Sequence, residues 1–248
     1  MLFPCTDRMR RFGKTVIIAL GGSIVVPDTI NTDYLKQFVR FIHRWKRTHR
    51  FIVVIGGGEV ARRYQRGAAK VARVTDEDKD WIGIHATRLN AHLLRTVFRE
   101  IADPVVFDSR FKMKTVKYPI TIASGWRPGW STDYVAAQIS ADFSAGAFIV
   151  AGKPSHVYTN DPVIHMDAIP MDALSWKQYR KMIPKRWIPG SHFPVDPVAA
   201  RLADKERLTA YVVDWREIKN LEALITGKKY RGTELVSLIR ASRARGGG

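Results

Sequence analysis

Two glycine clusters, each closing an apolar β-branched run, are the residues of this 248-residue chain best suited to phosphate chemistry. Leu20-Gly21-Gly22-Ser23 ends the run Val16 to Leu20, and Gly56-Gly57-Gly58-Glu59-Val60-Ala61-Arg62 follows the run Phe51 to Ile55. Adjacent glycines let a backbone turn sharply and approach a ligand without a Cβ clash, and their N–H groups can form a concavity for an anion. A Gly-Gly after a strand also serves as a plain tight turn. The triplet runs into a helix N-terminus, where phosphate binds naturally. Arg62 lies one helical turn further on, within reach of the same phosphate. Two such loops suggest two phosphorylated ligands. Neither loop is GxxxxGK[ST] or GxGxxG, which disfavours the P-loop and dinucleotide-binding readings.

Three further segments carry polar residues at turns. Pro128-Gly129-Trp130-Ser131-Thr132-Asp133 reads as a helix N-cap, with Ser131 or Thr132 capping and Asp133 near the helix dipole. Tyr158-Thr159-Asn160-Asp161-Pro162 and Phe193-Pro194-Val195-Asp196-Pro197 read as turns. An aspartate at such a helix start is equally placed to align Mg²⁺ or orient an attacking phosphate oxygen. Trp126 and Trp130 flank the Pro-Gly loop and suit either stacking on a base or loop packing. His85 and His92, seven apart, lack the i, i+4 spacing of a helical metal site and read as packing or subunit contacts.

These residues need a scaffold, and the pattern predicts one. Strands are expected at 16–20, 51–55, 104–107, 119–123, 147–151, 208–213 and near 232–238. Helices are expected at 31–45 (capped by Asn31), 59–69, 80–101, 132–143, 172–182, 198–206 and 218–225. The long helix is expected to bury Ile82, Ala86, Leu89, Leu93 and Val97. Alternation of this kind implies a mainly parallel sheet covered on both faces, with ligands at the carboxyl ends of the strands. The expected class is α/β, a three-layer αβα sandwich. The expected organisation is an arm at 1–13, one domain at 14–238 divided near residue 152, and a basic tail at 239–248.

Lys and Arg total 41 against 23 Asp and Glu, for a net charge of +18, which draws anionic ligands. The cations are spread along the chain, so nucleic acid is not the expected partner. No apolar run reaches the roughly 18 residues of a membrane span. A single cysteine, Cys5, and the absence of an apolar leader favour the cytoplasm.

Six motifs in order resemble the archaeal-type uridylate kinases of the amino acid kinase superfamily: LGGS at 20–23, GGGEVAR at 56–62, DWIGIHATRLNA at 80–91, PGWSTD at 128–133, VYTNDP at 157–162 and VDPVAAR at 195–201. YRGTEL at 230–235 resembles the family's closing Gly-Thr strand. The resemblance implies ATP-dependent phosphorylation of UMP with Mg²⁺ and assembly into a homo-oligomer, a hexamer built from dimers. It implies that Gly21, Gly22 and Ser23 cradle the transferring phosphoryl group and that Asp196 organises it. Gly57, Gly58 and Arg62 would hold the acceptor phosphate, Asp80 the ribose, and Thr132, with Asp133 nearby, the uracil side. Tyr158 and Asp161 would lie by the adenosine of ATP, with Lys153 supplying positive charge. Two departures stand out. Ala19 replaces a lysine common in the superfamily, and Ser155 stands where an acidic residue is usual. They favour, as alternatives, a member impaired in catalysis or a kinase for another phosphate or carboxylate acceptor.

Overall fold

The computed structural model describes residues 11–152, 154–186, 193–214 and 216–237. Ten strands and eight helices occur among them. The elements are β1 (Thr15–Leu20), α1 (Gly22–Val25), α2 (Thr32–Trp45), β2 (Arg50–Ile55), α3 (Gly58–Val71), α4 (Asp76–Val97), β3 (Ala102–Phe107), β4 (Ile120–Ala123), α5 (Thr132–Asp142) and β5 (Ala147–Gly152). There follow β6 (Val157–Tyr158), β7 (Pro170–Met171), β8 (Ala173–Ser175), α6 (Trp176–Met182), α7 (Pro197–Lys205), β9 (Thr209–Asp214), α8 (Ile218–Ile225) and β10 (Thr233–Val236).

Eight strands form one sheet in the order β3-β4-β2-β1-β5-β9-β10-β8, and β6 and β7 form a small antiparallel pair. Every pairing from β3 to β9 is parallel; β10 reverses against β9, and β8 runs with β10. This is the mainly parallel three-layer sandwich expected. The apolar runs are continuous because both sheet faces are covered. Val16, Ile18 and Leu20 join a core with α2, α4 and α8, whereas Ile17 and Ala19 join a second core beneath α5, α6 and α7. Leu20 pairs with Ile55 on one side and Ala151 on the other, so the loops after β1, β2 and β5 leave the sheet at one edge.

The helices start where capping chemistry puts them. The Asn31 side chain accepts from the Tyr34 N–H at 3.1 Å, and α2 then buries Tyr34, Leu35, Phe38, Phe41 and Ile42. A capping box between Thr75 and Asp78 starts α4 four residues before the expected position. Its buried face also differs from the expected stripe. Ala86 is buried as expected, but Leu89 and Val97 are 64% and 38% exposed, and the face turned inward is completed by Ile84, Thr87, Asn90, Ala91 and Leu94. Polar Thr87 and Asn90 are inside because each is bonded to a loop at the sheet edge. The segment read as a helix from 172 begins instead with β8, and only Trp176 onwards is helical.

The two glycine loops meet backbone to backbone. A Cβ on Gly22 would overlap the Gly56 carbonyl oxygen and come 2.5 Å from the Gly58 nitrogen. Gly58 has φ +60°, and a Cβ there would lie 2.6 Å from the Ser23 nitrogen. Gly22→Ala is expected to cost about 3 kcal/mol of stability through overpacking. Gly67→Ala, exposed in the interior of α3 with nothing near the added carbon, should gain roughly 0.5–1 kcal/mol. Urea denaturation of the two variants checks the contrast.

Candidate active site

Short-range bonds fix the two glycine loops before any ligand arrives. The Gly21 N–H donates to the Ala151 carbonyl at 2.8 Å and the Gly56 N–H to the Leu20 carbonyl at 2.8 Å. The Asn90 side chain, 2% exposed, donates to the carbonyls of Gly56 and Gly57 at 2.9 and 3.2 Å. This turns the second loop's carbonyls toward α4. Gly22 and Gly58 each open a helix, which leaves N–H groups of the first turns at the sheet edge.

Arg62 projects from the first turns of α3 between the loops. It donates to the Ser23 hydroxyl at 3.0 Å and to the Glu59 carboxylate at 2.9 Å. Glu59 also pairs with Arg66. The two guanidiniums, Arg66 first and then Arg62, hold the Glu59 carboxyl below the usual carboxylate range. Glu59 thus pre-orients Arg62 at the mouth of the site.

Beside Arg62 opens a pocket of about 170 Å³ whose walls include Gly57, Gly58, Arg62, Asp80, Trp130 and Thr132. Five of these six, all but Trp130, are sequence-predicted site residues, contributed by the loop after β2, α3, α4 and the start of α5. Asp80 accepts from the Gly129 N–H at 2.7 Å, and Gly129 has φ +80°, a conformation glycine adopts freely. Thr87 accepts from the Gly125 N–H at 2.8 Å. α4 therefore holds the loops after β2 and β4 at once. Trp130 is packed between the Arg127 guanidinium, 4.6 Å from its ring centre, and the Tyr134 ring at 4.6 Å. The pocket has phosphate-type donors at one end and an aromatic wall with polar groups at the other.

Asp133 is not on that wall. Its carboxyl turns toward Asp196, where the starts of α5 and α7 meet. Asp196 caps α7, accepting from the N–H groups of Val198 and Ala199 at 2.7 and 3.1 Å. It also accepts from the Ser131 hydroxyl, while Ser131 caps α5 by accepting from the Tyr134 N–H at 2.9 Å. Burial pushes the Asp133 carboxyl well above its ordinary value, and the Asp196 charge adds to this. Burial raises Asp196 as well, opposed by its bonds from Ser131 and the α7 N–H groups. Two like charges held close with little solvent need compensation beyond these bonds. A divalent cation would supply it, and two carboxylates completed by phosphate oxygens suit Mg²⁺. Among the described residues there is no group of three or more His, Cys, Asp or Glu that could hold a metal unaided.

The model of the amino acid kinase family matches residues 14–114 and 119–214. The chain belongs to the amino acid kinase family. It is 33% identical over 216 residues to the uridylate kinase of Thermococcus onnurineus (strain NA1), covering 86% of this chain and 96% of that protein. The crystal structure of uridylate kinase from Archaeoglobus fulgidus superposes with a TM-score of 0.76 at 28% identity, covering 89% of this chain and 99% of that one. The UMP kinase from Bacillus anthracis, 20% identical over 92% of this chain and 97% of its own, shares the fold with a TM-score of 0.71.

In this amino acid kinase Tyr158 and Asp161 come from the segment that follows β5. Tyr158 is on β6, where the Ser155 hydroxyl is 3.3 Å from its phenol and 2.9 Å from His156 Nδ1. β6 is tied to the main sheet by the buried Thr233, whose hydroxyl accepts from the Val157 N–H at 2.8 Å and donates to the Met171 carbonyl. The preceding Gly232 has φ +156°, and a Cβ there would overlap the Val212 carbonyl oxygen. Asp161 is exposed and closes a turn, accepting from the Val163 N–H at 2.9 Å. Lys153 lies outside the described residues. Ala19 is buried beneath α5, so no cation enters the site from that position. Ser131, one of the two expected caps, is the cap of α5. Thr87 and Asn90 have no role of their own in the sequence reading; their signal lies in the TRLNA segment that contains them.

The raised Asp133 carboxyl sets a stability prediction. A carboxyl whose folded pKa is raised costs stability as pH climbs above its unfolded value, where the unfolded chain releases the proton and the fold keeps it, and the penalty vanishes only below that unfolded pKa. Asp133→Asn should therefore raise the melting temperature of the protein in chelator at neutral pH. The gain should shrink toward acid pH. Thermal melts across a pH series check the sign.

Proposed function

We propose that this protein is an ATP-dependent UMP kinase, forming ADP and UDP with Mg²⁺. The observation that carries the reading is the pocket joining Gly57, Gly58 and Arg62 to Asp80, Thr132 and Trp130. Its lining offers a guanidinium suited to a phosphate, a carboxylate suited to a ribose and an aromatic ring suited to a base. The names of the relatives support the same acceptor.

Phosphoryl transfer asks the protein mainly for positioning and charge neutralisation. Arg62 and the N–H groups of the second glycine loop hold the UMP phosphate. Asp80 accepts from ribose hydroxyls, and Thr132 and Trp130 receive the uracil. An oxygen of the UMP phosphate attacks the γ-phosphorus as its bond to the β–γ bridging oxygen breaks, and ADP leaves. Gly21, Gly22 and Ser23 line the path of the transferring group, and the N–H groups of Gly22 and Ser23 donate to its oxygens. Tyr158 and Asp161 border the adenosine, and Lys153 adds charge on the donor side. Asp196, with Asp133 beside it, would hold Mg²⁺, which neutralises phosphate charge when bound.

The enzyme works as a cytoplasmic homo-oligomer, a hexamer built from dimers. The exposed face of α4, with Trp81, Leu89 and Val97, supports it as a contact surface between copies. Multi-angle light scattering should give a multiple of the 28.2 kDa chain mass; a monomer mass at micromolar concentration would remove this claim.

In an ADP-release assay against nucleoside monophosphates, UMP should give the highest kcat/KM. A clearly better CMP or AMP would overturn the acceptor assignment. Arg62→Ala should weaken UMP use by about 2–3 kcal/mol and leave the KM for ATP nearly unchanged. Equal losses for both substrates would contradict the role given to Arg62.

A further inference from the structure

We infer that Tyr179 is a positioning residue for Asp196, through a two-way bond that fixes the main chain just before it. Tyr179 lies on α6 and is fully buried. Its hydroxyl donates to the Val195 carbonyl at 2.6 Å and accepts from the Val195 N–H at 2.8 Å. Both main-chain polar groups of one residue thus end on a single phenol oxygen. Val195 is itself fully buried and sits between Pro194 and Asp196.

The segment entering α7 needs such an anchor. Val195 lies outside the strands of the sheet, so no sheet neighbour supplies its bonds. The Asp196 carboxylate is aimed by its own bonds to Val198, Ala199 and Ser131. Those bonds set its direction only if the backbone before it is held in place, and Tyr179 does this. Burial pushes the Tyr179 phenol far above its ordinary range, so it keeps its proton, and can donate, throughout the working pH. Removing the hydroxyl would leave a buried N–H and a buried carbonyl unpaired, and the segment would shift to find other partners.

A matched control separates positioning from bulk stability. Trp176, also on α6 and fully buried, donates from Nε1 to the Leu208 carbonyl at 2.8 Å. That bond anchors α6 to the segment before β9 and not to Asp196. Trp176→Phe therefore removes a comparable buried bond from the same helix and the same core.

The catalytic part of this inference rests on the UMP kinase reading, and the structural part does not. In the test, kcat and the KM for UMP are measured for wild type, Tyr179→Phe and Trp176→Phe. Hydrogen exchange is followed in the peptide covering 193–201. Tyr179→Phe should lose about 10–100-fold in kcat, the range seen when a group supporting a site residue is removed, with the KM for UMP little changed. Its amides at Val195, Val198 and Ala199 should exchange faster. Trp176→Phe should keep most of its kcat and its protection at those amides. Equal kcat losses in the two variants would overturn the inference, as would unchanged exchange at 195–199 in Tyr179→Phe. If Tyr179→Phe does not fold, the wild type decides: Val195 N–H should exchange as slowly as the amides of β9, and fast exchange sinks the idea. A wild type that releases no ADP with UMP overturns the kinase reading, and the exchange measurement still decides whether Tyr179 holds the segment.

Discussion

The close approach of two backbones, Gly22 against Gly56 and Gly58, is the contact on which the rest of the site depends. No side chain fits between these loops, so the first turns of α1 and α3 begin side by side at the edge of the sheet. Their N–H groups are brought together by main-chain geometry, and no flexible side chain has to be ordered to do it. Such preorganised donors cost nothing to rearrange when a charged group arrives. Asn90 holds one loop from behind and Arg62 reaches across to the other through Ser23. The parallel register of β1 with β2 and β5 is what delivers the loops to one level.

Around that contact the charges are sorted. Arg62, Lys79 and Arg127 border the pocket, while Asp133 and Asp196 lie together where α5 and α7 begin. The surplus of basic residues across the chain suits substrates that bring several negative charges. The two carboxylates are uncomfortable without a ligand, because burial opposes the ionisation of both and the Asp196 charge further opposes that of Asp133. The protein accepts a stability cost in the place where binding relieves it, a common feature of functional sites.

Much of this was legible in the sequence, and the exceptions have physical causes. Apolar runs ending in glycine announced β1 and β2, and Asn31 announced α2, because burial and capping are local signals. The face of α4 was misread because its inward positions, Thr87 and Asn90, are polar. They bond loops distant in sequence, and periodicity of apolar residues cannot register that. The pair β6–β7 and the strand β8 are too short to show alternation. Asp133 looked like a neighbour of Thr132 at the pocket. Successive helical residues point about 100° apart, and that rotation carries Asp133 toward α7. The turn reading of Asp161 holds in the structure, whatever it does beside a nucleotide. The role of Tyr179 depends on a contact between α6 and a loop, for which the sequence offers no spacing rule.

The seam between β1 and β5 has a consequence for how the chain comes to be folded. β2 follows β1 closely and can pair with it early, but Ala151, the partner of Leu20 on the other side, is made far later. During synthesis the strand that leads to the first glycine loop therefore waits with one edge open and apolar. Such an edge is a template for misplaced pairing until its own partner arrives. Pairing across so long a separation also makes closure slow. Seating the first glycine loop thus awaits the union of β1 with β5, and conditions that delay that union expose the nascent protein to aggregation.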